Sequence, residues 1–378
     1  MPKLQKQGRK SQRAVGYAVI GLGHIAQTEV LPAFANSRSA KLVAVVSGDK
    51  AKRRQAERAY AGVRAYGYED TDACLASEDV DAVYIAEPNT LHAEFAVRAA
   101  QAGVHVLCEK PMAPTEEECR RIIDACRDTD VKLMIAYRLH FEEANLRAVD
   151  LVRKGRLGEP RLFSSVFSYQ ARPGNIRLKL ETGGGPAWDI GVYCVNAARY
   201  LFADEPIEVT AFAAAGALPR FAEVEEGMGV LLRFPRERLA AFTISYGAAP
   251  EGFYEVVGTE GRLRLDNAYD YDGDHTLTWK IGERERSKVI PESDQFGPEL
   301  SYFSECVLAD RQPEPSGQEG LADVRIISAI YKSAAQRTPV KIEPVRIAKR
   351  PGLGQLIRRP PVGKGAAARV VDVEAPTS

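Results

Sequence analysis

Three small residues near the start of the chain have the spacing to grip a phosphate: Gly21, Gly23 and Ala26 in Gly21-Leu22-Gly23-His24-Ile25-Ala26. An apolar strand, residues 17–20, runs into them, and apolar positions at helical spacing follow over 26–35, interrupted by Pro32. Strand, Gly-x-Gly-x-x-Ala and helix together make the dinucleotide-binding fingerprint. Gly21 permits the tight turn, Gly23 lets the backbone approach a pyrophosphate, and Ala26 lets the helix pack closely on the strand. The helix N-terminus adds amide donors and the positive end of its dipole. Glycine turns also follow strands that bind nothing, so neighbouring elements decide the matter. The next strand, 41–46, ends in Ser47-Gly48-Asp49, with Lys52 and Arg53 close behind. An NAD-preferring fold usually offers Asp or Glu to the ribose hydroxyls at that strand end. A small hydroxyl with cations suits a 2′-phosphate instead, so the pattern reads as NADP; the alternative is that Lys52, Arg53 and Arg54 form only a solvated helix face.

These groups need a sheet to hold them. The run 41–46 is apolar on both faces, as in a parallel-sheet strand, and further strands are expected at 81–86, 104–108 and 132–137. Between them the spacing predicts helices over 50–60, over 93–102 with Gly103 as C-cap, and from the Thr115-Glu116-Glu117-Glu118 capping box to about residue 128. Strands alternating with helices imply an α/β, doubly wound Rossmann sheet whose ligands lie beyond the carboxyl ends of the strands. Gly21, Ser47, Pro88, Lys110 and Arg138 all fall there. After about residue 140 the pattern changes. A helix over 142–154 is followed by strands at 161–169, 207–215, 227–234, 238–246, 253–257, 261–265 and 275–281, separated by short turns. That succession predicts a mostly antiparallel, open sheet in an α+β domain. Within it Gly183-Gly184-Gly185 leads into a helix carrying Trp188, Asp189 and Tyr193, and a late helix spans roughly 320–336. The expected order is a basic tail (1–14), a dinucleotide-binding domain (15–138), a substrate and oligomerisation domain (139–344), and a basic, Pro/Gly-rich tail (345–378) read as an arm or disordered.

With 378 residues the natural prior is two domains sharing a cleft. Lysines plus arginines equal aspartates plus glutamates, 51 each, so bulk charge gives no case for nucleic-acid or membrane binding. Six cysteines without a C-x-x-C pair read as reduced, mostly buried thiols. No apolar secretory region precedes Gly16 and the longest apolar runs are strand-length, so the cytoplasm is the default expectation. His92 and His140, at loop or strand ends, make no metal set, and no metal is expected.

Four features resemble the Gfo/Idh/MocA oxidoreductase family: Gly21-x-Gly23-x-x-Ala26, Pro88-Asn89-x-x-His92, Glu109-Lys110-Pro111, and Gly183-Gly184-Gly185-x-x-x-Asp189-x-Gly191-x-Tyr193. Cys108-Glu109-Lys110-Pro111-Met112 and Asp189-Ile190-Gly191-Val192-Tyr193 are most similar to the glucose–fructose (aldose) oxidoreductase branch. The resemblance implies hydride transfer between nicotinamide and a sugar carbon. By that resemblance Lys110 faces the substrate, Tyr193 stands where many relatives have histidine and this branch tyrosine, Asp189 lies one helical turn earlier, and Ser47 and Lys52 hold the 2′-phosphate; the chemistry of the residues then makes Tyr193 the expected acid/base, tuned by Lys110. A tyrosine with pKa about 10 is a poor base near neutrality, and a neighbouring ammonium would lower that value. Asp189 and Tyr193, at i and i+4, are expected on one helix face, with Asp189 binding another sugar hydroxyl. Trp188 is a candidate wall of the sugar site, interdomain packing being the alternative. The candidate cofactor set is Gly21, Leu22, Gly23, His24, Ile25, Ser47, Gly48, Lys52, Arg53 and Tyr68. It continues with Pro88, Asn89, Leu91, His92, Glu109, Lys110, Arg138 and Arg177.

The leading expectation is an NADP-dependent enzyme oxidising an aldose at C1, with the cofactor recycled on a second sugar as an extension. The alternatives are a dehydrogenase or reductase with exchanging NADP on another sugar or cyclitol, and a silent NADP-binding sensor, against which an intact Lys110, Asp189 and Tyr193 argue. The branch's secreted member has an export signal and a long N-terminal arm over a neighbour's cofactor; here about fourteen basic residues precede the fold, leaving cofactor retention open. Large open sheets need covering, so a homodimer or homotetramer is expected.

Overall fold

The computed structural model describes residues 14–362. Six parallel strands, β1 (Val15–Ile20), β2 (Ala40–Val46), β3 (Arg64–Tyr66), β4 (Ala82–Ile85), β5 (His105–Glu109) and β6 (Leu133–Ala136), form a sheet in the order 3-2-1-4-5-6. Every residue of β1 is buried, as its apolar composition requires of a central parallel strand. Because β1 pairs with both β2 and β4, the strand order reverses beside it, and the crevice beyond its carboxyl end opens at Gly21.

The helices follow from caps and apolar spacing. Asp49 accepts the amides of Ala51 and Lys52 to start Lys50–Ala59, and Thr115 accepts that of Glu118 to start Glu116–Asp128. The latter buries Cys119, Ile122 and Cys126, three and seven residues apart, on one stripe. One departure from expectation lies after the glycines. The segment read as one α-helix opens as a wide π turn, Ala26–Val30, and closes as a tight 3₁₀ turn, Phe34–Asn36. Pro32 lacks an amide and crowds the carbonyl four residues back, which disfavours regular α geometry there. A second departure is the helix Phe296–Leu308, which sequence spacing does not announce. It returns from far along the chain to cover the parallel sheet, where Ser304 Oγ meets the Tyr17 hydroxyl at 2.9 Å.

The second sheet has nine strands: β7 (Pro160–Ser168), β8 (Glu208–Ala214), β9 (Gly227–Phe234), β10 (Arg238–Ser245), β11 (Glu251–Gly258), β12 (Gly261–Asp266), β13 (His275–Ile281), β14 (Arg284–Ile290) and β15 (Val340–Lys341). Their order is 14-13-12-11-7-10-9-8-15, antiparallel except for the central β7–β10 pair. The edge strands β14 and β15 are additions to the sequence reading; β14 is almost wholly charged or polar and β15 has two residues. One face packs on the helices Glu143–Arg153, Val192–Phe202 and Gly317–Gln336, and the other exposes Leu162, Phe212, Leu231 and Leu239.

The segment expected as a free tail from residue 345 is, as far as residue 362, laid against the body. Arg350 pairs with Glu205, Gln355 Nε2 donates to Glu314, and Arg359 Nε donates to the Asn36 carbonyl at 2.7 Å. Basic side chains there meet acidic groups and carbonyls of both halves. Residues 1–13 and 363–378 lie outside the described residues. All six cysteines are buried and free, no helix among the described residues is long and apolar enough to cross a membrane, and no cluster of metal-ligand type occurs among them.

Candidate active site

A cleft of about 890 Å³ runs between the carboxyl edge of the parallel sheet and the second sheet, within the range of small-molecule sites. At its floor Gly21 has φ +96°, and a Cβ there would meet the Ala86 carbonyl oxygen at 2.6 Å, so only glycine fits the turn. Nothing lies within 4 Å of where a Cβ of Gly23 would stand, which leaves open backbone facing the cleft. Leu22, His24 and Ile25 line the same end. His24 Nδ1 is buried without a partner, and burial together with Arg177 depresses its proton affinity. A cradle open at Gly23, beside the start of a helix, fits a dinucleotide pyrophosphate.

Ser47, Gly48, Lys52 and Tyr68 line the end of the cleft at β2. Asp49, the first acid after β2, is engaged as the helix cap, with Oδ1 2.7 Å from the Ala51 amide and 3.2 Å from that of Lys52. Lys52 stands on the cleft, whereas Arg53 turns back to the Ser47 carbonyl and is not among the lining residues. Pro88, Asn89 and His92 also border the cleft. Asn89 donates to the Gly183 carbonyl at 2.8 Å, tying the glycine loop of the second domain to the first. His92 is fully buried, with its ring nitrogens 2.9 Å from the Pro111 carbonyl and 2.8 Å from the Glu87 carbonyl, so it braces two loops. Leu91 packs against the hydrophobic core rather than the cleft.

At the other end Lys110, Arg138, Arg177, Asp189 and Tyr193 come together, from four separate stretches of chain. Lys110 follows β5, with its bond to Pro111 cis. Its Nζ lies 3.0 Å from the Asp189 carbonyl, 3.3 Å from Asp189 Oδ1 and 4.7 Å from the centre of the Tyr193 ring. Burial alone would depress the ammonium, but Tyr193, Asp189 and Glu109 outweigh it and hold Lys110 above its ordinary range. Asp189 Oδ2 accepts the hydroxyls of Tyr169 at 2.6 Å and Tyr246 at 3.1 Å and Arg177 Nε at 2.9 Å. Burial opposes ionisation, yet Arg177, Lys110 and the two tyrosines keep the carboxylate far below its usual range. Asp189 is therefore an anchor whose Oδ2 is filled by protein donors, while Oδ1 has Lys110 as its partner and faces the cleft.

Arg138 is buried behind Tyr193. Its guanidinium donates to Gln295 Oε1 at 2.6 Å and to the Tyr269 carbonyl, and lies 5.0 Å from the centre of the Tyr193 ring. Glu109 accepts the Tyr84 hydroxyl at 2.7 Å, and burial raises its proton affinity.

Several expectations are corrected. Trp188 does not line the cleft; it stacks on Tyr331 at 5.7 Å between ring centres. Asp189 lies in a wide π turn, Ala187–Gly191, that precedes the α-helix bearing Tyr193, so the two are not on one regular helix face. They converge on Lys110 instead through a carboxylate and a ring. Arg177 lines the cleft, as expected of it, and is at the same time tied to Asp189 through Nε. Tyr169, Tyr246, Gln295, Glu87 and Asp270 escaped the sequence reading. Tyr169 and Tyr246 follow the ends of β7 and β10, which meet because those strands are parallel neighbours, a pairing no local pattern announces.

Comparison with known proteins matches residues 15–137 to the oxidoreductase family with NAD-binding Rossmann fold and residues 145–264 to the GFO/IDH/MocA C-terminal domain. A D-xylose 1-dehydrogenase [NADP(+)] of Haloarcula marismortui is 32% identical over 87% of this chain and 93% of its own length. The structure of an aldose-aldose oxidoreductase from Caulobacter crescentus complexed with glycerol superposes with TM-score 0.83 at 38% identity, over 87% of this chain and all of that one. A 3-ketoreductase from Actinomadura kijaniata in complex with NADP and TDP-benzene gives 0.77 at 28% identity, over 85% and 98%.

Proposed function

Because the chain belongs to the Gfo/Idh/MocA oxidoreductase family, we propose that it is an NADP-dependent sugar oxidoreductase working at C1 of an aldose. The observation that carries this reading is the meeting of Lys110, Asp189 and Tyr193 at the far end of the cleft that begins at Gly21 and Gly23. The xylose 1-dehydrogenase and the aldose-aldose oxidoreductase among its relatives support an aldose over other sugars. Ser47 and Lys52 on the cleft, with Asp49 Oδ1 already engaged by the Ala51 and Lys52 amides, support NADP over NAD.

Bound NADP supplies a nicotinamide ring that accepts hydride. The chain's own residues handle the proton and the geometry. Tyr193 takes the proton of the C1 hydroxyl as hydride leaves that carbon, giving a lactone. Lys110 and Arg138, both on the ring of Tyr193, offset the negative charge that forms on the phenol oxygen. Lys110 itself stays an ammonium and is no base. Two of its donors go to Asp189, and the third is available to a sugar oxygen. Asp189, held by Arg177, Tyr169 and Tyr246, acts through Lys110 as a positioning residue. The exposed apolar face with Leu162, Phe212, Leu231 and Leu239 supports assembly into a homo-oligomer.

The test is absorbance at about 340 nm, where reduced nicotinamide absorbs, after adding xylose, glucose and other aldoses to the pure protein with and without NADP. The expected result is a band with NADP and at least one aldose. A band without added NADP would mean retained cofactor, and a protein that binds NADP yet reduces it with no aldose overturns the reading.

A further inference from the structure

The adenosine end of the cleft contains a carboxyl group that neither caps a helix nor enters an ion pair. Glu87 follows β4 beside Gly21, where a Cβ on Gly21 would lie 2.9 Å from the Glu87 amide nitrogen. Its side chain borders the cleft beside Tyr68, whose hydroxyl favours the Glu87 carboxylate. The Tyr68 ring lies so close to Gly48 that a Cβ there would stand 3.0 Å from it. Tyr68 thus links the end of β2 to the end of β4. Glu87 Oε1 is left buried without a partner. Lys52 faces Glu87 from the helix after β2, Glu94 from the helix His92–Gln101, and the His92 ring bonds the Glu87 carbonyl. One cation, Lys52, therefore answers to two anions: this carboxylate and a 2′-phosphate.

We propose that Glu87 sets the cofactor preference of the cleft through its own protonation. As a neutral acid it offers Oε1–H to the ligand and leaves Lys52 to a 2′-phosphate, favouring NADP. As a carboxylate it engages Lys52, repels the phosphate and accepts ribose hydroxyls, favouring NAD. The inference rests on the dinucleotide reading above and goes beyond it. Burial, with Glu94 adding to it, outweighs the pull of Tyr68 and Lys52 and lifts Glu87 to about 7. The exchange therefore falls within the physiological range, and its sign is fixed: rising pH weakens NADP relative to NAD.

The experiment measures dissociation constants of NADP and NAD, by quenching of protein fluorescence, between about pH 6 and pH 8 for the native protein and for Glu87→Gln. The native preference for NADP should fall about tenfold across that range, one pH unit of differential protonation, while Glu87→Gln keeps its low-pH preference throughout. The 2′-phosphate itself titrates near pH 6, but it does so equally with both proteins, so the difference between them isolates Glu87. Parallel profiles overturn the proposal. If Glu87→Gln does not fold, Tyr68→Phe, which removes the hydroxyl that stabilises the carboxylate, should move the native midpoint upward; an unmoved midpoint overturns it equally. Binding of neither dinucleotide would remove the NADP reading itself, a different failure from flat binding of both.

Discussion

Two clusters of buried charge lie in and around the second sheet, and they differ in one respect. In the first, Asp189 joins Lys110, Arg177, Tyr169 and Tyr246. In the second, Arg199 joins Glu205, Glu319 and Asp323, and Arg350 adds to Glu205. His140 lies beside it, with Nδ1 2.9 Å from Glu314 and Nε2 2.8 Å from the Asn196 oxygen. Because the Asn196 amide donates to Glu319 and Asp323, its oxygen must face His140, and both ring nitrogens then donate. His140 is an imidazolium. Burial opposes that charge, but Glu314 and Glu319 outweigh it and raise its proton affinity. Both clusters are dense networks of buried charge, the second with Glu319 Oε2 and Arg350 Nη1 left without hydrogen-bond partners, and both shift the titration of their members. Only the first opens on the cleft: the Lys110 and Asp189 side chains keep 12% and 15% exposure, whereas Arg199 and Asp323 have none. Perturbed ionisation marks burial among charges; access to a ligand separates a reactive cluster from a structural one.

The contrast breaks most sharply at the reactive cluster. Lys110→Ala and Tyr193→Phe should each lower turnover with NADP and an aldose by about 10²–10⁴-fold, the range for positioned proton transfer. Near-normal rates in both would reduce the first cluster to a second structural one. Arg199→Met probes the sealed cluster, where it leaves three carboxylates without their central cation. It should cost about 3–5 kcal/mol in urea unfolding, with turnover per folded molecule unchanged. A loss of kcat at undiminished stability would reverse the assignment of the two clusters.

The pH dependence sharpens the comparison further. His140 is raised in the folded state, so its contribution is fully present below its unfolded value of about 6.5 and is lost as pH rises through the folded value. Unfolding free energy of the native protein should therefore decline above about pH 6.5 relative to His140→Gln, and a constant difference between the two would contradict the imidazolium. Asp189 behaves with the opposite sign. Its folded value is depressed, so its contribution is present above about pH 4, its unfolded range, and is lost as pH falls below it. The smallest effect is expected at the surface. Arg358 pairs with Glu143 at 2.6 Å, but its side chain is 63% exposed. Arg358→Ala should cost no more than about 0.5 kcal/mol, as exposed pairs do, and a larger loss in thermal unfolding would make this arm contact a structural anchor.

What could be read locally was what depends on neighbours in sequence. Gly21 announces its turn because only a residue without Cβ fits against Ala86. Thr115 announces its helix because cap and first turn are three residues apart. By contrast β3 is three residues long, too short for any period, and the wide turn at Ala187–Gly191 shares its composition with an ordinary helix. The 345–362 segment looked free because its composition is that of a solvated tail, while its partners Glu205, Glu314 and Asn36 are far away in sequence. Trp188 looked like a sugar platform for a similar reason: aromatic character says that a ring will stack, but not that its partner is Tyr331.

The sequence by itself determined the parallel sheet, the glycine turn at its switch point and the chemical types gathered along the cleft. Burial, capping and backbone sterics act over a few residues, and a linear pattern carries them. Tertiary structure decided what each charged group does. Asp189 became an anchor because Tyr169 and Tyr246 arrive at the ends of the parallel β7–β10 pair. Asp49 became a cap, its Oδ1 taken by the Ala51 and Lys52 amides, at the end of the cleft that Ser47, Lys52 and Glu87 also line. A carboxylate's role is set by how many of its lone pairs the fold has already filled, and that number exists only once distant strands have met.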